Sequence, residues 1–535
     1  MNLWPVLTIC VPFFLALAGG VSSVRARLPF WLVLAPLPGF LAAVTAWDTP
    51  PFSIGSLTFR LDVPGAMLLG AGSLVWMAAG AFAATALRGK PNQGRFVLCW
   101  LLSLTGSLGV FFAADLWSFL LLFALASLPA YGLVVLDGTP SARRAGAVYT
   151  GFALLAEGCL LLGFVLLALG GPEVSLGISS GVAALPVSPW KPLTLALIVV
   201  GFAMKIGLVP GHFWLPLAHP AAPAAGSAVL SGVIIKSGVI GLIRFLPLDT
   251  PLPDWGVGLA LAGLVTALYA VVIGITQQNP KTILAYSSVS QMGVIAAMLG
   301  MGLSSGDQSV GWDAAFYAMH HALAKGALFL AVGVVAVAGL SRRWLVFWPS
   351  AFLALGMAGL PFTGGALAKI AAKNVLGSGL AGTFATISAV GTALLMLHFL
   401  RRLLVLSRET PKRVPPAGLL GPFLGLAVTG FLVRWAVYLA ADVGGLAEPF
   451  SRGAFWDSLW PVALGGVLAL GLWRWENRLP KIPAGDIVVA GPGCVRVLKW
   501  LGAGLEKWES PLRFWPVACL ALLGVAIVLG VLLRF

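Results

Sequence analysis

One apolar run of near-spanning length follows another along this chain. Sixteen such segments can be counted, the first near 3–21 and the last near 515–533. A spanning α-helix needs about 20 predominantly apolar residues, and only helices and closed barrels satisfy every backbone polar group inside lipid. The repetition therefore predicts an all-α polytopic membrane protein of about 16 helices. Only 10% of the residues are charged, against roughly 25% in soluble domains. The net charge of +15 is then no sign of a nucleic-acid partner, because the cations sit in loops that alternate with acidic ones. Arg25 and Arg27, Arg88, Lys90 and Arg95, Arg143 and Arg144, Lys281, Arg342 and Arg343, the cluster from Arg401 to Arg413, and Arg474 to Lys481 follow odd-numbered segments. Asp48 and Asp62, Asp115, Glu173, Asp249 and Asp254, Asp307, Asp442 and Glu448 follow even-numbered ones. By the positive-inside rule the basic loops are cytoplasmic and both termini lie outside. The first run has no charged leader and reads as a retained helix. Five scattered cysteines without a C-x-x-C pair offer neither a disulfide framework nor a metal or iron–sulfur site.

Against this apolar background a few ionisable residues stand inside the spans, where an isolated charge costs about 2.5–3.5 kcal/mol on insertion scales and marks function by default. The stretch from Ala203 to Arg244, AMKIGLVPGHFWLPLAHPAAPAAGSAVLSGVIIKSGVIGLIR, holds Lys205 and Lys236, with His212 and His219 and four prolines between them. Proline breaks a helix, and broken helices in a membrane persist where protein or water covers them, often at ion sites. Glu157 lies in FALLAEGCLLLGF with no arginine beside it. His320, His321 and Lys325 lie in AMHHALAKGAL, and His321 and Lys325, at i and i+4, share a helix face. Lys369 follows a second break, GLPFTGGALAKI, with Lys373 one turn on. For any single histidine an ordinary polar contact between helices is the commoner role, and a lysine near a helix end can snorkel. The set, spread over separate spans with two members beside helix breaks, reads instead as a horizontal polar axis of groups able to take up and release protons. The pairing of a Gly/Pro break with a lysine at 205–216 and again at 358–370 points to an inverted-repeat transporter. Residues 490–514 interleave apolar, basic and tryptophan residues, as a short interfacial amphipathic helix does.

KIGLVPGHFWLPLAHPAAPAAGSAVLSGVIIKSGVIGLIR, NPKTILAYSSVSQMG (279–293), FYAMHHALAKGALFLAVG (316–333) and GLPFTGGALAK (359–369) resemble the antiporter-like membrane subunits of respiratory complex I. Mrp-type Na⁺/H⁺ antiporter subunits and the membrane subunits of formate hydrogenlyase and other membrane-bound hydrogenases belong to the same family. The resemblance covers roughly 95–405. It implies a fourteen-helix core with two inverted five-helix repeats containing broken helices. The implied divisions are an N-terminal segment 1–95, repeats at 96–250 and 251–405, and C-terminal helices at 406–535. It further implies that Lys205 is the lysine of the broken seventh helix, Lys236 that of the eighth, His321 and Lys325 (with His320 adjacent) the eleventh-helix group joining two half-channels, and Lys369 the titratable residue of the broken twelfth helix. Other membrane subunits, a peripheral arm, a bacterial inner-membrane location and no cofactor in this chain are implied as well.

Two departures stand out. The family's fifth-helix glutamate falls here at Ala124, in LLLFALASLPAYG, so either Glu157 one span later takes that role or the coupling is altered. Asn279 replaces an aspartate common in relatives. The function these residues predict is ion translocation, of protons first, within a larger complex. The alternatives are a non-redox membrane module such as one for CO₂ uptake, a structural subunit, and an independent solute transporter. No Walker motif, dinucleotide loop or haem-type histidine pair supports an enzyme in its own right.

Overall fold

Several spanning helices start where the sequence supplies both an apolar run and a side-chain cap for the first free N–H groups. In the computed structural model, which describes residues 3–19, 30–47, 50–89, 92–171, 173–339, 343–441, 447–475, 478, 480 and 482–486, this rule recurs. Helix α1 (Trp4–Ala18) and α2 (Leu37–Thr45) precede a hairpin of β1 (Phe52–Ile54) and β2 (Leu57–Phe59). Then come α3 (Val63–Ala86), α4 (Gln93–Gly109), α5 (Leu116–Ser127), α6 (Ala130–Val134) and α7 (Pro140–Ala168). Asp62 caps α3 through the Gly65 N–H at 2.7 Å, Asp115 and Ser118 form a capping box on α5, and Thr139 caps α7. The short α8 (Ile178–Ala184) leads to α9 (Lys191–Ile206), α10 (Trp214–Ala221), α11 (Ala224–Val229) and α12 (Lys236–Phe245). The remaining helices are α13 (Pro253–Gly274), α14 (Pro280–Ser305), α15 (Val310–Ala338), α16 (Arg343–Ala358), α17 (Gly364–Leu376), α18 (Leu380–Glu409), α19 (Ala417–Ala440) and α20 (Arg452–Trp475). Proline at the first turn of α3, α7, α9, α13 and α14 fits the position where its missing N–H costs nothing.

Among the described residues eleven helices, some of them composite, are long and apolar enough to cross a membrane, and four shorter apolar helices accompany them. The interfacial stretch expected at 490–514, the run at 515–533, and Arg25, Arg27, Lys90, Arg342, Lys481, Asp48 and Asp442 lie outside the described residues.

Three features differ from the plain reading of apolar runs. The segment at 192–216 is two helices, α9 and α10, parted at Gly207, whose φ of +79° closes α9 in the left-handed conformation. The segment at 345–374 is likewise two, α16 and α17, parted between Gly359 and Thr363. The run at 223–247 contains a π turn, Leu230–Ile234, between α11 and α12. The hairpin and α8 fall in stretches read as loops. The hairpin is three residues per strand, too short to show alternation. It is held by Arg60 N–H to Phe112 O at 2.8 Å and Ala114 N–H to Thr58 O at 3.0 Å.

Helix α14 is wholly buried over its central window, and α15 and the α11–α12 span nearly so, whereas α7, α18, α19 and α20 show most of their surface. The charged and polar residues of interest are on or beside these central helices. Small residues permit the close approach of α13 to α14: a Cβ on Gly263 would stand 2.4 Å from the Gly293 carbonyl, and one on Gly300 2.4 Å from the Ala260 nitrogen. At one end of the bundle Arg244, in the last turn of α12, grips Asp62 in a fork (2.8 and 3.0 Å). It also donates to the carbonyls of Val110, Phe111 and Ala113 beyond α4. Carbonyls freed at a helix end are thereby satisfied inside the protein.

Candidate functional site

Lys205 occupies the last turn of α9, immediately before the break, and is 4% exposed. The end of a helix is the favourable place for a cation, near carbonyls without helical partners. Its Nζ donates to Ser127 Oγ at 2.5 Å and stands 4.8 Å from the centroid of the Phe123 ring. Ser127 ends α5, one turn beyond Ala124. Its carbonyl accepts from Tyr149 Oη at 2.8 Å, and its hydroxyl lies 2.8 Å from the Phe123 carbonyl. Glu157, from α7, lies near enough to feel the Lys205 charge and the Ser127 hydroxyl but makes no direct ion pair or hydrogen bond with either, and its Oε1 is buried with no hydrogen-bond partner. The acid thus stands beside the bonded hydroxyl and amine where α5, α7 and α9 converge. Beyond them the break is stitched by Trp214 Nε1 to Met204 O (2.9 Å) and by Val209 N to Thr266 Oγ1 (3.1 Å).

The next group forms around the π turn. Lys236, fully buried, reaches back to the Ser231 carbonyl at 2.8 Å and meets His321 Nδ1 of α15 at 2.5 Å. An extra residue per turn leaves carbonyls of the widened turn available, and Lys236 uses one. The Ser231 hydroxyl contacts Ser288 Oγ at 2.8 Å. Ser288 Oγ donates to the Leu284 carbonyl at 3.0 Å, and Lys325 Nζ donates to the same carbonyl at 2.7 Å. Hydroxyls and a shared carbonyl therefore tie Lys236 to Lys325. His219 is stacked on Phe329, 4.7 Å between ring centroids, and neither of its ring nitrogens has a partner. Lys281 donates to the Ala222 carbonyl, released where Pro223 interrupts the chain, at 2.6 Å. The Lys205 and Lys236 groups adjoin: a Cβ on Gly238 would stand 3.1 Å from Lys205 Cγ.

His320 faces the other way. Residues one apart on an α-helix point about 100° from each other, and His320 Nδ1 meets Arg434 Nη1 of α19 at 2.9 Å. Arg434 is 3% exposed. His320 Nε2 lies against the second helix break, 3.2 Å from where a Cβ on Gly365 would be. That Cβ would also fall 1.6 Å from the Gly356 carbonyl, so only glycine fits. Lys369, one turn into α17, donates to the Ala358 carbonyl across the break. A cavity of about 460 Å³ touches Lys369, Gln291, Tyr317 and Thr392 at its inner end and the exposed Lys373–Asp457 ion pair (2.5 Å) at its outer end. Tyr317 donates to Gln291 (2.7 Å), and Gln291 donates to Thr392 (3.1 Å).

Of the seven residues singled out by sequence, Lys205 and Glu157 fall in one group around Ser127, Lys236 touches His321, and Lys325 joins them through serines. His320 and Lys369 flank one break. Sequence reasoning passed over Ser127, Ser231 and Ser288, which read as small residues in apolar helices, and Arg434, whose arginine within GFLVRWAVYL was the available signal. Asn279 caps α14 by accepting from Lys281 N at 2.9 Å, as an aspartate would.

Residues 113–396 match the family model described as NADH:quinone oxidoreductase/Mrp antiporter, transmembrane. The chain belongs to that family. The chain is similar to hydrogenase-4 component B of Escherichia coli, 31% identical over 300 residues, which are 54% of this chain and 44% of that protein. The chain is also similar to NADH-quinone oxidoreductase subunit N of Desulforudis audaxviator, 29% identical over 463 residues, covering 77% of this chain and 88% of that one. Its fold is that of a chain in the Mrp complex from Dietzia sp. DQ12-45-1b, with a TM-score of 0.69 at 22% identity, covering 88% of this chain and 100% of the other. The matched part spans less than half the length of hydrogenase-4 component B. Family membership and fold together make this a multi-pass helical membrane protein of the antiporter-like kind, as the resemblance implied.

Proposed function

We propose that this family member translocates ions, and that the ions are protons, as one subunit of a multi-subunit membrane complex. The observation that carries the reading is the succession of buried ionisable side chains: Glu157–Ser127–Lys205, then Lys236–His321 and Lys325 through Ser231 and Ser288, then His320 and Lys369 at a cavity reaching the surface. Buried charge without a carboxylate partner is costly, and a membrane protein that keeps several such lysines in file uses them. Amine, imidazole and hydroxyl groups accept and release protons, whereas a file of ammonium groups repels sodium ions. Buried atoms without a protein partner (Glu157 Oε1, His219 Nδ1 and Nε2, His320 Nε2, His321 Nε2) are points where water-mediated transfer can attach.

A lysine beside each of the two helix breaks supports reading 96–250 and 251–405 as two repeats, each with its own half-channel, with α15 joining them. The similar proteins named above come from hydrogenase, NADH-quinone oxidoreductase and Mrp assemblies. Other membrane subunits and a bacterial inner membrane, with the basic loops cytoplasmic, are accordingly the proposed setting. Energy then comes from a partner or an ion gradient.

The test is proton translocation by the assembled complex in sealed vesicles, wild type against Lys205→Ala and Lys369→Ala. Loss of the pH gradient in both variants is expected, and wild-type translocation in either contradicts the reading. The second reading, a membrane module with altered coupling such as one for CO₂ uptake, is motivated by Ala124 alone.

A further inference from the structure

The acid that the family resemblance places on the fifth helix is absent at Ala124, yet Lys205 is not left without one. Helix α7 packs along α9, and the contact is close: a Cβ on Gly201 would stand 2.7 Å from Leu160 Cγ and 3.1 Å from the Ala156 carbonyl. Gly201 and Lys205 are i and i+4 on α9 and share that face. Glu157 lies half-buried at the margin of the buried stripe of α7 formed by Ala153, Ala156 and Leu160, with the exposed Leu154 and Leu161 on its other flank and the exposed Leu155 and Leu162 on the far side. Ser127 closes the gap. A hydroxyl has one donor and two acceptor positions. Here it accepts from Lys205 Nζ and donates to the Phe123 carbonyl at 2.8 Å, and a turn of the O–H away from that carbonyl would aim its proton toward the side of Glu157. The Tyr149 hydroxyl, donating to the Ser127 carbonyl, fixes the end of α5 in that place.

We propose that Glu157, acting through the Ser127 hydroxyl, is the counter-acid of Lys205, so that a two-helix relay replaces the direct fifth-helix ion pair. The inference rests on the proton-translocating reading given above. In the step, a Lys205 N–H bond breaks as its proton joins Ser127 Oγ. The original Ser127 O–H bond breaks as that proton joins a Glu157 carboxylate oxygen. An ammonium and a carboxylate become an amine and a carboxylic acid, and serine ends unchanged. Reversal restores the ion pair. A one-hydroxyl bridge also explains why Ala124 is tolerated: its place, one turn before Ser127 on α5, is where a direct partner would otherwise project.

The experiment uses the intact complex in sealed vesicles, with assembly checked on native gels and Lys205→Ala as the reference for lost translocation. Glu157→Gln is expected to fall to that reference. Ser127→Ala is expected to lose about tenfold, the value of a hydrogen bond to a charged group, and Ser127→Thr to keep most of the activity. The decisive variant is Ala124→Glu combined with Glu157→Gln, which is expected to regain translocation because the acid returns by the shorter route. Wild-type translocation in Glu157→Gln, with Lys205→Ala inactive, overturns the relay and leaves proton translocation standing. An assembled Ala124→Glu, Glu157→Gln complex that stays inactive also overturns it. Wild-type translocation in Lys205→Ala overturns the underlying reading itself.

Discussion

At the scale of single residues, the contacts of the two adjacent histidines assign them different tasks. His321 meets an amine that also holds a backbone carbonyl, whereas His320 meets a guanidinium, which can only donate. With Arg434 donating to Nδ1, a neutral His320 carries its proton on Nε2, and that atom faces the break ahead of Lys369. Arg434 forms no ion pair among the described residues, and its Nε is without a partner. A buried charge held so sparsely is replaced by a well-packed apolar group at little cost or with gain. Arg434→Met should therefore leave the melting temperature of the complex unchanged or raised, while translocation falls about tenfold through loss of a charge-assisted hydrogen bond. Arg434→Lys should sit between. A thermal-shift measurement beside the vesicle assay separates these effects. A variant that unfolds early would make Arg434 a structural support instead.

At the scale of elements, the irregular pieces position the chemistry. The breaks after α9 and α16 release carbonyls and place Lys205 and Lys369 beside them, and the π turn between α11 and α12 offers Lys236 the Ser231 carbonyl. Deleting one residue from that turn, Val233 for example, would restore α-helical winding with α12 kept at nearly the same rotation to α11, and would close the widened turn whose Ser231 carbonyl Lys236 uses. The expected outcome is an assembled complex with translocation lowered, because Lys236 loses that carbonyl while His321 stays in reach. Wild-type translocation in that deletion would show that the widened turn is not needed to hold the lysine. This element could not be read from sequence, since a π turn of Leu, Ser, Gly, Val and Ile keeps the same apolar character as its flanks. The two breaks could be, because Gly and Pro mark them.

At the scale of the whole molecule, the run of spans, the lysines at 205, 236, 325 and 369, and the family were legible because each contrasts sharply with its surroundings. The connections were not. Ser127, Ser231 and Ser288 meet Lys205 and one another only when helices far apart in sequence are brought face to face, and a lone serine in an apolar helix is ordinarily a packing residue. Glu157 was visible as an anomaly, and only the packing of α5, α7 and α9 supplied its neighbour. The central claim is that one file of buried groups joins the two halves of the chain, with Lys325 in α15 at the join, bound in the described structure to nothing but the Leu284 carbonyl. The most direct measurement is the pH gradient formed by vesicles containing the assembled complex with Lys325→Met. A methionine of similar length preserves packing and removes only the proton carrier. The account predicts normal assembly with no gradient above the Lys205→Ala level. A gradient equal to wild type would contradict it.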